Sequence, residues 1–177
     1  VVLFIVGSWF LGAYNSMVTQ NEQVTTSWAE VETQYQRRFD LIPNLVAATR
    51  GYLKQEQAVF GAIAEARTRY SGATTPDARA QAATQVEGAL GRLLVIAENY
   101  PVLQSSQAYR DLIITLEGTE NRISVERMKY NDLVRNLNAS VKRFPSSIVA
   151  SIFGVNERAY FDIALGVEQT PKVDFSQ

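Results

Sequence analysis

A long stripe of apolar residues between Ser105 and Val141 constrains the fold of this chain more than any other feature. The apolar side chains recur in alternating steps of three and four residues, which keeps them on one face of an α-helix. They are Tyr109, Leu112, Ile113, Leu116, Ile123, Tyr130, Val134, Leu137 and Val141. Such a helix is about 55 Å long, at about 1.5 Å per residue. It needs neighbours of similar length to cover its stripe, and therefore predicts a helical bundle.

Two charged residues, Glu120 and Arg127, lie seven residues apart in this stripe. Burying a charge is costly unless it is paired. Helical rise counted from the expected loops places Asn21, Glu56 and Glu120 at similar depths of about 22 to 26 Å in an up-and-down bundle. We therefore predict a buried polar layer of Asn21, Glu56, Glu120 and Arg127, in which Arg127 neutralises one or both carboxylates. The alternative is that Glu120 and Arg127 lie at the edge of the stripe, in contact with water.

The composition excludes several classes of chemistry. The chain has 177 residues, of which 46% are hydrophobic, and this favours one domain. Seventeen basic and eighteen acidic residues give a net charge of -1 without a basic patch, so no nucleic-acid partner is expected. The chain has no cysteine and no histidine, which excludes disulfides, Cys/His zinc sites, Ser-His-Asp triads and Glu-x-x-His di-metal sites. We therefore predict no enzyme and no cofactor, and an enzyme built in the bundle core is the least favoured alternative.

The first fourteen residues, VVLFIVGSWFLGAY, are uncharged and almost wholly apolar. We predict a single transmembrane segment over residues 1–14, in contact with the lipid bilayer, since Trp9 and Tyr14 suit the membrane interface. A span needs about 20 residues and the chain begins with Val, so we expect the segment to extend before Val1. A buried core helix and a cleavable signal peptide are the alternatives. Both orientations stay open, because the first positive charges, Arg37 and Arg38, lie far from the segment.

Residues 15–143 predict an all-α fold, an antiparallel up-and-down four-helix bundle continuous with the transmembrane helix. No Gly or Pro lies between Ala13 and Asp40, so the first helix is expected to run unbroken to about Phe39. Asp40 and Pro43 then predict a stop and a restart. The predicted bounds of the other helices are Pro43 to Tyr70, Pro76 to Asn99 with Thr75 as cap, and Ser105 or Ser106 to Arg143.

Residues 144–177 differ from the bundle, because they are apolar, contain Pro and Gly, and lose the helical period towards the end. We predict a separate tail with a short helix whose apolar face packs on the bundle, on a neighbouring subunit or on lipid. The candidate contact residues for a protein partner or a homo-oligomer are Phe144, Ile148, Ile152 and Phe153. We expect removal of the tail to leave the bundle folded.

Several short segments match a known pattern. They are Tyr14-Asn15, Asn21-Glu22-Gln23-Val24, Trp28, residues 37–46 (RRFDLIPNLV), Gly51-Tyr52, Asn99-Tyr100-Pro101 with Leu103, residues 119–123 (TENRI), Arg127, Tyr130-Asn131, and Phe144-Pro145 with Ala150 and Phe153-Gly154. These residues resemble the bacterial LemA family over nearly the whole chain. Two positions depart from it: Gln55 precedes Glu56 where members often have His, and Ser105-Ser106 replaces a more usual Ala-Asn.

The resemblance implies a single N-terminal membrane segment joined to a four-helix bundle in the bacterial cell membrane, with a scaffold or protease-adaptor role. The unbroken helix favours the scaffold, since a rigid connection matters for a spacer and not for a freely tethered enzyme. The sequence therefore predicts a non-enzymatic, membrane-anchored scaffold or adaptor of the cell envelope. A regulatory partner of a membrane protease is the alternative.

Overall fold

The structure is a computed structural model that describes residues 1–161, apart from the side chain of Asp77. The fold is all-α, as predicted. The helices are α1 (Val2–Arg50), α2 (Gln57–Gly72), α3 (Pro76–Ala97), α4 (Pro101–Ser105), α5 (Gln107–Lys142) and α6 (Ser146–Phe153). Residues 162–177 of the predicted tail lie outside the described part.

Helix α1 continues from the apolar N-terminal segment into the core without interruption, and this prediction is confirmed. Its buried side chains recur mainly in steps of three and four residues. They are Met17, Val24, Ser27, Val31, Tyr35, Arg38, Phe39, Ile42, Leu45 and Thr49. One rigid element therefore joins the N-terminal segment to the core.

The predicted break at Asp40 and Pro43 is wrong, because α1 continues through Pro43 to Arg50. Proline lacks only one backbone donor, and the helix can continue where its neighbours stabilise it. Ile42 and Leu45 are both buried beside Pro43, which is itself exposed. Core packing on both sides of the proline therefore outweighs the lost hydrogen bond.

Helices α1 and α5 run antiparallel along most of their lengths. Arg38 pairs with Glu120, and the ring of Trp28 meets that of Tyr130 at 5.4 Å between centroids. Further towards the N-terminus of α1, Val141 packs against the cluster that contains Met17. Residue numbers on α5 thus rise as those of the contacting residues on α1 fall, which is the geometry of an antiparallel pair.

Helices α2 and α3 cover only one half of this pair. With 16 and 22 residues they are about 24 and 33 Å long, at about 1.5 Å per residue. Thr75 caps α3 as predicted, its hydroxyl oxygen accepting the Ala78 N–H at 3.2 Å. The ring of Tyr70, near the end of α2, meets Phe39 at 4.4 Å, and Arg79 in α3 pairs with Glu32. The two helices therefore reach along α1 only to about Glu32.

Residues 154–161 cover the other half of the pair. Gly154 ends α6 at φ 67°, a left-handed conformation that favours glycine, and turns the chain back along the bundle. Two asparagines of α5 then hold this segment by its backbone: Asn138 bonds Arg158 and Asn131 bonds Phe161, each through both an N–H and a carbonyl oxygen. Phe161 is 3% exposed and lies in the main core.

The core thus extends beyond residue 143, where the sequence places the start of a separate tail. The reason is the mismatch in helix length: α1 and α5 are far longer than α2 and α3, so their apolar stripes need another cover. Residues 154–161 have no helical period, and the sequence pattern therefore does not reveal that they supply it.

Candidate functional site

A group of charged and aromatic side chains crosses the middle of the bundle. The Tyr35 hydroxyl donates to Glu87 Oε1 at 2.8 Å, and Arg127 Nη1 lies 3.6 Å from the same carboxylate oxygen. The Arg127 guanidinium also lies over the Phe161 ring, 4.3 Å from its centroid. The Glu87 carboxylate thus connects α1, α3 and α5. Arg127 also connects α5 to Phe161 through its contact with the ring.

A second ion pair lies one turn further along α1. Arg38 pairs with Glu120 on α5, and the Arg38 side chain is almost fully buried, whereas that of Glu120 is 45% exposed. We call Tyr35, Arg38, Glu87, Glu120 and Arg127 the core charge cluster. A pair with one water-exposed partner costs less desolvation than a fully buried pair.

Burial perturbs two members of the core charge cluster. It raises the pKa of Tyr35 far above its ordinary value, and the negative charge of Glu87 raises it further. The hydroxyl therefore keeps its proton and remains a hydrogen-bond donor. Burial also lowers the pKa of Arg38, an effect that Glu87 opposes. Chemically, the core charge cluster is suited to holding three helices in register.

The structure does not bring the predicted polar layer together. Glu120 pairs with Arg38 and Arg127 with Glu87. Asn21 lies about 25 Å from the level of Arg38 along α1, at about 1.5 Å per residue, and accepts hydrogen bonds from the Arg158 guanidinium at 3.0 and 3.1 Å. Glu56 lies in the turn before α2, near the other end of α1. The common depth depended on a helix break at Pro43, and α1 has none.

The predicted polar layer does not include Tyr35, Arg38, Glu87 or Phe161, which the structure places in this site. A signal existed for Arg38, because it follows Val31 and Tyr35 in the stripe of α1 at steps of four and three residues. This signal lies within the first helix as predicted, which is expected to reach about Phe39. For Glu87 and Phe161 no periodic signal exists in the sequence.

The N-terminal end of α1 presents a second candidate surface. Among the described residues, α1 is the one helix long and apolar enough to cross a membrane. Only 6% of its apolar 18-residue stretch is buried. Its exposed apolar side chains include Leu3, Phe4, Ile5, Val6 and Leu11. The alternative of a buried core helix is therefore wrong for this segment, because its apolar side chains are exposed and not packed in the described core.

The predicted contact residues lie next to this segment. The ring of Phe153 packs in a tilted arrangement against Tyr14 of α1, at 4.3 Å between centroids, and against Phe10 at 5.9 Å. Phe144, Ile148 and Ile152 are exposed, while Val149 and Ala150 of the same helix are buried against Met17. The structure thus brings α6 to the apolar end of α1, and the four predicted residues keep exposed surface.

Comparison with known proteins decides the family. A family model described as the LemA family matches residues 27–175, well over half of the 177 residues. The chain belongs to the LemA family. The match includes the core charge cluster and the tail as far as residue 175. Together with the apolar end of α1, LemA membership supports a membrane-associated protein.

The relatives found by sequence are magnetosome proteins. Magnetosome proteins MamQ 1 and MamQ 2 of Paramagnetospirillum magneticum are each 28% identical over 187 residues, covering 91% of this chain and 68% of the relative. Magnetosome protein MamQ of Magnetospirillum gryphiswaldense is 26% identical over 174 residues, covering 84% of this chain and 64% of the relative. The LemA-family chain thus spans about two thirds of these relatives.

Proposed function

We propose that this protein is a non-enzymatic scaffold of the bacterial cell envelope, anchored by a single membrane-spanning segment and holding a helical surface at a fixed height. The observation that carries the proposal is the unbroken α1, which runs from the exposed apolar segment through the core to Arg50. A helix of 49 residues is about 74 Å long, at about 1.5 Å per residue. The anchor and the bundle therefore move as one body.

The core charge cluster supports the same role. Its two ion pairs connect α5 to α1 and to α3, and the hydrogen bond from Tyr35 to Glu87 connects α1 to α3. Polar contacts of this kind favour one alignment of helices over its alternatives. The relatives' names refer to a cellular structure and to no reaction, which is consistent with a non-enzymatic role.

The partner-binding surface of such a scaffold lies far from the membrane. Exposed apolar side chains there include Val95 at the end of α3, Val102 in α4 and Ile114 near the start of α5. A photo-crosslinking amino acid at each of these positions, in the full chain in native membranes, reports which proteins contact the surface. A membrane protease among the adducts would narrow the role to protease regulation.

The decisive variant interrupts α1 without removing the anchor. Insertion of a flexible Gly-Ser-Gly-Ser linker between Ala13 and Tyr14 should abolish or redistribute the protein adducts at these positions. Retention in the membrane fraction and an unchanged melting temperature are the controls. Adducts that do not respond to the linker would show a simple tether, and a complete lack of protein adducts would contradict the scaffold.

A further inference from the structure

We propose that α6 lies in the lipid interface beside the membrane segment of α1 and forms a second membrane contact of this protein. The inference rests on the proposed membrane anchor. It assigns a lipid surface as the partner of α6 and of Phe144, the residue before its N-terminal turn.

The packing of α6 places it at the boundary of the apolar segment. Its buried residues Val149 and Ala150 form a small cluster with Met17, and Phe10, Ala13 and Tyr14 pack against that cluster. Phe10 and Ala13 belong to the apolar stretch of α1, whereas Tyr14 and Met17 lie at its end and just beyond. Helix α6 therefore spans the level at which α1 passes from an apolar to a polar sequence.

The outward face of α6 matches a lipid surface in its chemistry. Ile148 and Ile152 lie one turn apart on this face and are 48% and 63% exposed. The whole stretch from Phe144 to Asn156 contains no charged residue. An apolar face that continues an exposed apolar helix points to membrane contact.

Charged and aromatic residues flank this face as they do at membrane interfaces. Lys142 and Arg143 precede it directly, and both are exposed. Lys142 pairs with Glu157 at 2.8 Å, while Arg143 makes no ion pair with the residues that the structure describes. Tyr14 packs on Phe153 at this level, and Trp9 lies about 7.5 Å further along α1 towards its N-terminus, at about 1.5 Å per residue. Trp and Tyr are the side chains enriched at membrane interfaces.

Lipid has two competitors for this face: a second copy of this chain, and residues 162–177. A second copy would have to cover the apolar stretch of α1 as well as α6, since α6 lies against α1 at the end of that stretch. Lipid covers both surfaces continuously. The face is therefore assigned to lipid, and the other occupants become outcomes of the test.

The test uses nitroxide spin labels on the full chain in phosphatidylcholine nanodiscs. The chain has no cysteine, so single cysteines label at one position only. Labels at Ile148→Cys and Ile152→Cys should be more accessible to oxygen than to a water-soluble nickel complex. A label at Ile114→Cys, which is 66% exposed and lies far from the membrane end, should show the reverse. All sites are exposed, so the substitutions leave the packing unchanged.

A label at Phe4→Cys separates the two proposals. If Phe4 is in lipid and Ile152 is as accessible to nickel as Ile114, the α6 inference alone fails. If Phe4 itself is in water, the membrane anchor fails. Protection of Ile148 and Ile152 from both reagents would overturn the proposal of lipid contact. In that case, dipolar broadening between labels on two chains would indicate a second copy, and unbroadened spectra would indicate residues 162–177.

Discussion

Arg127 and Arg135 lie two turns apart on α5, yet their environments differ. Arg127 is 11% exposed, lies 3.6 Å from Glu87 and covers the Phe161 ring. Replacing it by Ala removes the counter-charge of a partly buried carboxylate and one face of a buried ring. We expect Arg127→Ala to lower the free energy of unfolding by about 3 kcal/mol, measured by urea titration of the full chain in detergent micelles.

Arg135 is the matched control for this experiment. It pairs with Asp132 at 3.0 Å, and both side chains are largely exposed. Exposed pairs of this kind contribute little, so Arg135→Ala should cost below about 0.5 kcal/mol. Equal costs for the two substitutions would show that Arg127 is solvated, which was the alternative for the charged positions in the stripe.

Tyr70 makes stability depend on alkaline pH. Burial, followed by the charge of Glu32, raises the pKa of Tyr70 to about 12 in the folded chain. An unfolded tyrosine has a pKa of about 10. The folded state holds this proton more tightly, so its contribution is complete below about pH 10 and is lost as the pH rises towards 12.

A comparison of the wild type with Tyr70→Phe between these pH values measures the contribution. Phenylalanine keeps the ring packed on Phe39 and removes the ionising group. The variant should lose less stability than the wild type over this range. Tyr35 contributes in the same direction in both proteins, since burial raises its pKa as well. Identical losses would mean that Tyr70 ionises freely in the fold.

At the scale of the elements, Pro43 is the position where local preference and packing disagree. The exposed proline sits inside α1 and leaves the helix one backbone hydrogen bond short. We expect Pro43→Ala to raise the free energy of unfolding by about 1 to 2 kcal/mol, after subtracting the effect of proline on the unfolded chain. Asn44→Ala, at an exposed neighbouring position, reports helix propensity alone. A decrease in stability of Pro43→Ala would indicate that α1 needs the proline.

Residues 154–161 are expected to be part of the folded core. Phe161 is 3% exposed and contacts Trp28, Tyr35 and Arg127, whereas its neighbour Tyr160 is 50% exposed. Phe161→Ala should therefore cost about 3 to 5 kcal/mol in urea titrations. Tyr160→Ala should cost far less. Similar small losses for both would restore the interpretation of these residues as a dispensable tail.

These two elements show what sequence reasoning can and cannot predict here. The stripes of α1 and α5 are long and regular, so their helices follow from periodicity, and Thr75 with Pro76 marks the start of α3. Pro43 carries a strong local signal for a break, and only tertiary packing shows that it is overruled. Phe161 lies in an extended segment whose burial depends on α2 and α3 being short. The pairing of Arg38 with Glu120 depends on the register between α1 and α5. That register depends in turn on the continuation of α1 past Pro43 and on the segment that contains Phe161.

At the scale of the whole molecule, different elements surround the core at the two ends of the bundle. Helices α1, α2, α3 and α5 surround the core far from the membrane segment, whereas α6 and residues 154–161 complete it near that segment. The core charge cluster holds the first region and the asparagine contacts hold the second. Helix α1 runs through both regions, so the rigidity of the whole molecule depends on its continuity.

The distance between two spin labels on α1 measures this continuity. Leu3→Cys and Thr33→Cys, both exposed, place one label in the apolar segment and one beside the core. Thirty residues of helix separate them by about 45 Å, at about 1.5 Å per residue. Pulsed dipolar spectroscopy of the full chain in nanodiscs should give one narrow distribution near this distance, and the Gly-Ser-Gly-Ser insertion after Ala13 should broaden it. A broad distribution in the uninterrupted chain, similar to that of the insertion variant, would contradict a rigid connection between the membrane and the bundle.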